Sequence, residues 1–217
     1  MSPADKQYSV RLMETEDRDD VLRLQTLEQS RNNPTNQPFD RLLSWFGLAW
    51  ALRWVFWQGI RKKLTHATFG FVAIHETTGA IIGSLFVWDV MLTQREAVRM
   101  LENGKTDGLM APLLLGNKAR SMKLLSGLQR GQLLDFEVSV SEQFQGLGVY
   151  RALFERATEA AAAQGYKGML FVANHPAVSK VTGGEVIGRL HLHPLTVFGC
   201  WKPWPKTAIW QLIYSRL

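Results

Sequence analysis

Two glycines lie two residues apart, directly before a predicted helix. Gly146 and Gly148 follow the strand-like run Leu133–Val140 and precede a helical run that starts at Val149. The first N–H groups of a helix have no partner inside the helix and carry partial positive charge, and glycine lets an anion approach the backbone closely. This arrangement predicts a turn that binds phosphate. A tight turn between strand and helix, without a ligand, is the alternative.

The best-known phosphate-binding loops do not fit this turn. A P-loop ends in Gly-Lys-Ser/Thr, whereas Gly148 is followed by Val149 and Tyr150. The dinucleotide fingerprint needs a third glycine three residues after the second, and Arg151 occupies that position. Neither of these two loops therefore accounts for the turn.

The segment resembles the signature of the GNAT family of acyl-CoA-dependent N-acyltransferases. That signature, Gln/Arg-x-x-Gly-x-Gly/Ala, is met by Gln143-Phe144-Gln145-Gly146-Leu147-Gly148, and the resemblance covers roughly residues 131–178. It implies acetyl-CoA or another acyl-CoA as co-substrate and no metal. The implied reaction transfers the acyl group to a primary amine, on a small molecule or a peptide, by direct attack in a ternary complex.

The resemblance also implies which residues bind the cofactor. The backbone of Val138 and Val140 would contact the pantetheine arm, the turn amides from Gln145 to Tyr150 would hold the diphosphate, and Asn174 would lie beside the pantetheine. The expected cofactor-binding residues are Val138, Val140, Gln143, Gln145, Gly146, Leu147, Gly148, Val149, Tyr150 and Asn174.

Two carboxylates on the predicted cofactor strand are candidates for the general base. Asp135 and Glu137 share one face of the strand because side chains alternate with period two. Either can accept a proton if burial raises the pKa of its carboxyl towards neutrality; an exposed polar strand face is the alternative.

The general acid stays open at this point. The family often places a tyrosine seven residues after the asparagine, where this chain has Val181. The remaining candidates for that role are His175, His191, His193 and Tyr214, and we select Tyr214 beside Glu137 and Asp135 as the predicted catalytic residues. The missing tyrosine also supports an alternative function, a non-catalytic CoA-binding or peripheral membrane-associated module with the same fold.

The resemblance implies one α/β (α+β) domain over residues 1–217, with a mixed, mostly antiparallel central sheet flanked by helices and strands splayed at the CoA site. Alternation predicts a half-buried strand over Leu133–Val140. Residues 92–131 are an apparent insertion. Further strands are predicted at Tyr8–Met13, Phe69–His75, Ala80–Val87, Met169–Asn174, Val197–Trp201 and Ala208–Ser215, and a first helix over Glu14–Ser30.

A strongly apolar helix is predicted from Asp40 to about Ile60. It carries four tryptophans, and Arg53 near its middle disfavours a membrane span. A buried wall or a homodimer face is the first interpretation, and peripheral membrane contact through residues 42–60 is the second.

Charge and cysteine content narrow the functional classes. The 217-residue chain has a formal net charge of +6, which suits an anionic ligand, nucleic acid or an anionic membrane. Nucleic acid is disfavoured because no reading motif is present. The single Cys200 excludes an intrachain disulfide, and the first ten residues contain no apolar signal-like run. We expect a cytoplasmic protein, with membrane association as the alternative.

Overall fold

Seven strands form a mixed, mostly antiparallel sheet flanked by helices, in the order β1-β2-β3-β4-β5-β7-β6. The computed structural model describes residues 7–33, 36–90, 131–173, 177–191, 204–205 and 209–217. The strands are β1 (Tyr8–Leu12), β2 (Phe69–His75), β3 (Ile81–Asp89), β4 (Leu133–Val140), β5 (Gly168–Ala173), β6 (Glu185–His191) and β7 (Ile209–Arg216). The helices are α1 (Arg18–Arg31), α2 (Gln37–Trp45), α3 (Ala49–Thr65), α4 (Val149–Ala163) and α5 (Ala177–Thr182). The predicted fold class is confirmed.

The chain divides into two compact units. The first comprises Met1–Trp88 and Phe136–Ala163, and the second comprises Asp89–Asp135 and Gln164–Leu217. Strand β4 is therefore shared between them. The prediction of a single domain over residues 1–217 stays a prediction, and the proposed insertion at 92–131 lies almost wholly outside the described residues.

In the first unit, helices cover both faces of the sheet. Helices α1 and α3 pack on β2 and β3 through one apolar cluster, which consists of Val21, Leu22, Ile60, Leu64, Val72, Phe86 and Trp88. On the other face a Cβ built at Gly83 would lie 2.8 Å from Val149 and 3.2 Å from Leu153, so α4 approaches β3 closely there. Because neighbouring strand residues point to opposite faces, Gly83 faces α4 and Ser84 faces α1.

In the second unit, β5, β7 and β6 form an antiparallel ladder. Phe171 of β5 lies opposite Ile213 of β7, and His191 of β6 lies opposite Ile209. The core cluster of this unit comprises Val90, Leu133, Leu170 and Leu212, with Ile187 and Tyr214 packed against it. Strand β6 was not predicted, and the predicted strand Val197–Trp201 lies outside the described residues.

The predicted helix from Asp40 to Ile60 is wrong in its bounds. Helix α2 ends at Trp45 and α3 begins at Ala49, because Gly47 adopts a φ of +69° between them. The amide of Leu48 then donates to the carbonyl of Leu43 at 2.7 Å, which closes the end of α2. A residue in the left-handed region ends a helix, and glycine adopts that region at low cost.

The apolar side chains of these two helices are also less buried than expected. No residue of α2 is buried, and Ile60 and Leu64 are the buried residues of α3. A wall buried within the single chain, the first part of the first interpretation, is therefore wrong for this segment. The homodimer face, its second part, stays a prediction. Among the described residues, no helix is long and apolar enough to cross a membrane.

Candidate functional site

Helix α1 lies along the polar face of β4. Glu137 and Ser139 are two residues apart on the strand, and each binds a glutamine of α1: Gln29 contacts Glu137, and Gln25 contacts Ser139. One helical turn spans about 5.4 Å and two strand residues span about 6.6 Å, so the two spacings nearly match. The prediction of a half-buried strand is corrected here, because the polar face of β4 is covered as well.

Glu137 belongs to a charged cluster. Gln29 Nε2 donates to its Oε1 at 2.6 Å, and Lys63 Nζ of α3 forms an ion pair with its Oε2. The Glu137 side chain is 17% exposed, so these contacts are only partly screened by water. The Lys63 ammonium also lies 5.2 Å from the ring centroid of the buried Trp88. The ammonium and the amide are therefore both directed at this carboxylate, one at each oxygen.

A second polar network lies one helical turn away and is fully buried. Gln25 Nε2 donates to Ser84 Oγ at 2.9 Å and to the Ser84 carbonyl at 3.2 Å. Ser139 Oγ donates to Gln25 Oε1 at 2.7 Å. This glutamine therefore joins α1 to both β3 and β4, the strand that carries Glu137.

The turn after β4 has the backbone geometry that was predicted for an anion site. Gly146 and Gly148 have φ values of +80° and +84°, and α4 begins at Val149. A short 3-10 turn over Glu142–Phe144 precedes them, and the Gln145 amide donates to the Glu142 carbonyl at 3.2 Å. For the amides of residues 146–150, the described part of the chain offers no backbone acceptor. Five N–H groups are therefore available at the start of α4.

Two side chains hold this turn in place. Tyr8 Oη of β1 donates to the Leu147 carbonyl at 3.4 Å, and Gln145 Nε2 donates to the Val140 carbonyl at 3.1 Å. Burial and, secondarily, the charge of Glu155 raise the pKa of Tyr8, so its hydroxyl stays a donor.

The carboxylate of Glu28 in α1 supports the start of the same turn. It accepts a hydrogen bond from Asn32 Nδ2 at 2.7 Å and one from the Glu142 amide. Burial raises the pKa of Glu28, and these two hydrogen bonds partly offset that shift.

Tyr150 carries an unpartnered polar group beside the turn. Its hydroxyl is buried, and it finds no hydrogen-bond partner in the residues that the structure describes. Its ring stacks on Phe154 with the two centroids 6.3 Å apart, and Phe154 in turn packs against Phe136 of β4. Burial raises the pKa of the Tyr150 hydroxyl, so it is protonated near neutral pH.

The predicted cofactor residues on the strand and turn come together in the first unit. Val138 and Val140 are half-buried on β4, Gln143 and Leu147 are exposed, and Val149 is buried under the start of α4. The parallel ladder of β4 and β5 pairs Leu133 with Gly168 and Leu134 with Met169, and the described residues show no further pair between these strands. Asn174 lies outside the described residues.

The other predicted catalytic residues belong to the second unit. Asp135 is half-buried on β4 and has an electrostatic or hydrogen-bond contact of its own. Tyr214 lies on β7 opposite Leu170 and Glu185, with its ring over Gly168. Their catalytic roles stay predictions.

The described residues include some, but not all, of the candidates for the general acid. Val181, at the position of the expected tyrosine, lies in α5, and His191 is exposed at the end of β6. His175 and His193 lie outside the described residues. Within the described ranges, no group of three potential metal ligands is present.

Four residues of the site were not predicted from the sequence: Gln25, Gln29, Lys63 and Tyr8. Gln25 and Gln29 are separated by one helical turn, and Gln25 falls on the same face as Val21 and Leu22. A glutamine on an apolar helix face was the available signal, since such a residue needs a buried partner. The contacts of Lys63 and Tyr8 bridge 74 and 139 residues of chain, and no local pattern indicates them.

Comparison with known proteins identifies the fold. No family model matches this sequence, and no curated protein matches it. Solved structures with the GNAT N-acetyltransferase fold do match. Arylalkylamine N-acetyltransferase 2 from Aedes aegypti superposes with a TM-score of 0.69 at 16% identity, covering 97% of this chain and 99% of that chain.

Two further matches agree with this result. Drosophila melanogaster polyamine N-acetyltransferase gives a TM-score of 0.61 at 14% identity, with coverages of 97% and 100%. A GCN5-related N-acetyltransferase from Kribbella flavida gives 0.51 at 15% identity, with both chains covered completely. The chain therefore has the GNAT fold, which confirms the predicted resemblance at the level of architecture.

Proposed function

We propose that this protein is an acyl-CoA-dependent N-acyltransferase that moves an acyl group, acetyl in the simplest case, to a primary amine. One observation carries the proposal: the amides of residues 146–150, at the start of α4, have no backbone acceptor among the described residues. A helix N-terminus with free amides binds phosphate groups. The GNAT fold supports the same assignment, and so does the fact that the structural neighbours named above are N-acetyltransferases.

The residues present fit the diphosphate and pantetheine of CoA. The amides of residues 146–150 would hold the diphosphate, and the backbone of Val138 and Val140 would contact the pantetheine arm. The buried Tyr150 hydroxyl is a protonated donor without a partner in the described residues, which fits a polar group of the ligand. The exposed turn and the net charge of +6 favour an anionic ligand of this kind.

The chemistry that the chain must supply is removal of a proton from the attacking amine. Acyl-CoA brings an activated thioester carbonyl, whose C–S bond breaks as the new C–N bond forms. Glu137 accepts the proton, directly or through water, and its carboxylate is positioned by Lys63 and Gln29. The departing thiolate takes up a proton, and the assignment of Tyr214 to this step stays a prediction.

The acceptor class follows from the charge and the neighbours. A protonated amine is attracted to a carboxylate, and the Glu137 side chain is 17% exposed. The named neighbours act on arylalkylamines and polyamines, one of them forming N-acetylagmatine. We therefore propose small primary amines as acceptors, and phenethylamine, agmatine and spermidine form the first test panel.

A matched pair of glycine variants tests the donor site. Gly146 and Gly165 have φ values of +80° and +83°, and a Cβ at either position would meet no atom within 4 Å. Gly146→Glu and Gly165→Glu therefore carry the same backbone strain and the same charge. By calorimetry, Gly146→Glu should weaken acetyl-CoA binding by at least about tenfold, because a carboxylate then faces the diphosphate, and Gly165→Glu should not. Equal binding by both variants would overturn the proposed donor site.

A second experiment tests the chemistry separately from binding. Glu137→Gln should lower kcat by at least about 100-fold, which is the lower range for loss of a general base, while acetyl-CoA affinity stays within about threefold. Glu159→Gln, an exposed glutamate of α4, is the control. Release of free thiol in the presence of each amine measures the rate. An unchanged kcat in Glu137→Gln would remove this residue from the mechanism.

A non-catalytic CoA-binding module is the second candidate function. Val181 stands where the resemblance expects the acid, and both Glu137 oxygens already have partners. This candidate predicts that acetyl-CoA binds and that Gly146→Glu weakens binding as above, but that no amine in the panel releases thiol. The two experiments above therefore distinguish a module from an enzyme.

A further inference from the structure

The junction of α2 and α3 carries an exposed aromatic surface. Trp45 is 85% exposed, Trp50 is 65% exposed and Trp54 is 59% exposed. Phe46 and Leu48 lie between them in the chain and are exposed as well, and the Trp45 and Phe46 rings stack with centroids 6.1 Å apart. We call the surface formed by Trp45, Phe46, Leu48, Trp50 and Trp54 the aromatic surface.

Two tryptophans outside this segment are buried instead. Trp88 and Trp204 are 2% and 3% exposed, so exposure is not a general property of this residue type in the chain. Trp50 and Trp54 are four residues apart on α3 and project from one helical face. Arg61, seven residues after Trp54, lies on the same face, and its guanidinium stacks 5.0 Å from the Trp57 ring centroid. A cationic side chain, that of Arg61, therefore lies next to the aromatic surface on α3.

The sequence segment that carries this surface has a single sign of charge after Asp40. From Arg41 to His75 the sequence contains no aspartate or glutamate, while residues 41–63 contain five lysines and arginines. Arg41 and Arg61 are exposed, and they precede and follow the residues of the aromatic surface in the sequence. A second copy of the chain would bring the same cations against each other, which is unfavourable. A partner with dense negative charge next to an apolar layer complements both features.

We propose that the aromatic surface binds the interface of an anionic lipid bilayer. Tryptophan rings partition to the boundary between headgroups and acyl chains, and cations beside them are attracted to anionic headgroups. The α2–α3 pair would lie on the membrane, with Trp45, Trp50 and Trp54 inserted and Arg41 and Arg61 at the phosphates. This inference stands independently of the acyltransferase proposal, since no atom of the donor site takes part in it.

Vesicle sedimentation with the purified full chain tests the proposal. We expect binding to phosphatidylcholine vesicles that contain 25% phosphatidylserine, weaker binding to pure phosphatidylcholine, and weaker binding at 500 mM than at 50 mM NaCl. The variant Trp45→Ala/Trp50→Ala/Trp54→Ala should bind at least about tenfold more weakly. Its thermal unfolding should be nearly unchanged, because the three side chains are mostly exposed.

A pair of charge variants separates local attraction from net charge. Arg41→Glu/Arg61→Glu and Lys180→Glu/Arg216→Glu both lower the formal net charge from +6 to about +2, and all four side chains are exposed. The first variant should bind anionic vesicles at least about tenfold more weakly, and the second should stay within about threefold of the wild type. Equal losses in both variants would contradict a local lipid contact.

Three other outcomes would overturn the proposal. One is equal wild-type binding to neutral and anionic vesicles. Another is a dimer in light scattering that the triple alanine variant converts to a monomer, since a second copy would then cover the surface. The third is protection of Trp45, Trp50 and Trp54 from hydroxyl-radical oxidation in dilute monomer, because the chain itself would then cover them.

Discussion

Helix α1 and the turn at residues 145–150 both adjoin β4, but their polar groups differ in one respect. On α1, Gln25, Gln29 and Glu28 each have hydrogen-bond partners in the protein. In the turn, the amides of residues 146–150 and the Tyr150 hydroxyl have none among the described residues. Buried polar groups that have protein partners fix the structure, whereas groups left without them are available to a ligand.

The contrast explains why the two regions should respond differently to substitution. Removing a paired polar group leaves its partner buried and unsatisfied, which costs stability. Removing an unpaired group costs the apo protein little and affects ligand binding instead. Stability and affinity measured on the same variants therefore separate the two kinds of residue.

The largest effect is expected from Gln25→Ala. This change removes a fully buried side chain and leaves the hydroxyls of Ser84 and Ser139 without their partner. The free energy of unfolding should fall by about 3 kcal/mol, from the cavity and the lost hydrogen bonds together. Gln29→Ala, one turn along and less buried, is the control and should cost about 1 kcal/mol. Urea denaturation measures both, and equal losses would contradict a special role for Gln25.

The next largest effect on stability is expected at the start of α1, and it should depend on pH. Arg11 donates two hydrogen bonds to Asp17 at 2.6 and 2.8 Å, and the Glu14 amide donates a third at 2.8 Å. The hydrogen bond from Arg11, above all, holds the pKa of the Asp17 carboxyl below its ordinary value. The stabilisation is therefore complete above the ordinary pKa of about 3.9 and is lost as the pH falls through the lower folded value.

Asp17→Asn tests this sign. At pH 7 the variant should be less stable than the wild type by about 2 kcal/mol, because a buried charged hydrogen-bond acceptor is lost. Near pH 2 the difference should shrink, since protonated aspartic acid also lacks the charge. Thermal unfolding from pH 7 to pH 2 measures the trend. A stability difference that grows towards low pH would contradict the assigned pKa direction.

A smaller effect is expected at the ion pair of Lys63 and Glu137. Lys63 is 40% exposed and Glu137 is 17% exposed, so water screens the pair in part. A double-mutant cycle with Lys63→Met and Glu137→Gln should give a coupling of about 1 kcal/mol. A coupling near zero would mean that Gln29 alone orients the carboxylate.

The fold could be predicted from sequence wherever local patterns determine the element. The bounds of β2 and β4 agree with the prediction to the residue, and the positive φ values of Gly146 and Gly148 follow from their place before a helix. The break between α2 and α3 was missed because apolar residues continue on both sides of it, as in one long apolar helix. The positive φ of Gly47 alone ends the first helix there.

The candidate site could be predicted only along its own strand and turn. Glu137 was identified as a candidate base from the alternation of β4, but its partners Lys63 and Gln29 come from α3 and α1. Contacts over 74 and 108 residues depend on how helices pack on the sheet, and no local spacing encodes them. The same holds for the exposure of the aromatic surface, since an apolar helix is equally typical of a buried wall.

The smallest effect on stability, and the sharpest test of the comparison, is expected from Tyr150→Phe. The hydroxyl is buried and lacks a partner in the described residues, so its removal should leave the free energy of unfolding unchanged or raise it by up to about 1 kcal/mol. Tyr8→Phe is the matched control: its hydroxyl donates to the Leu147 carbonyl, so its loss should lower stability by about 0.5–1 kcal/mol. If the Tyr150 hydroxyl forms a hydrogen bond to bound acetyl-CoA, the affinity for acetyl-CoA should fall by about fivefold to tenfold in Tyr150→Phe. The stability of the protein without ligand should not fall. A loss of apo stability equal to that of Tyr8→Phe would mean that the protein itself satisfies this hydroxyl, and the distinction between α1 and the turn would then no longer extend to Tyr150.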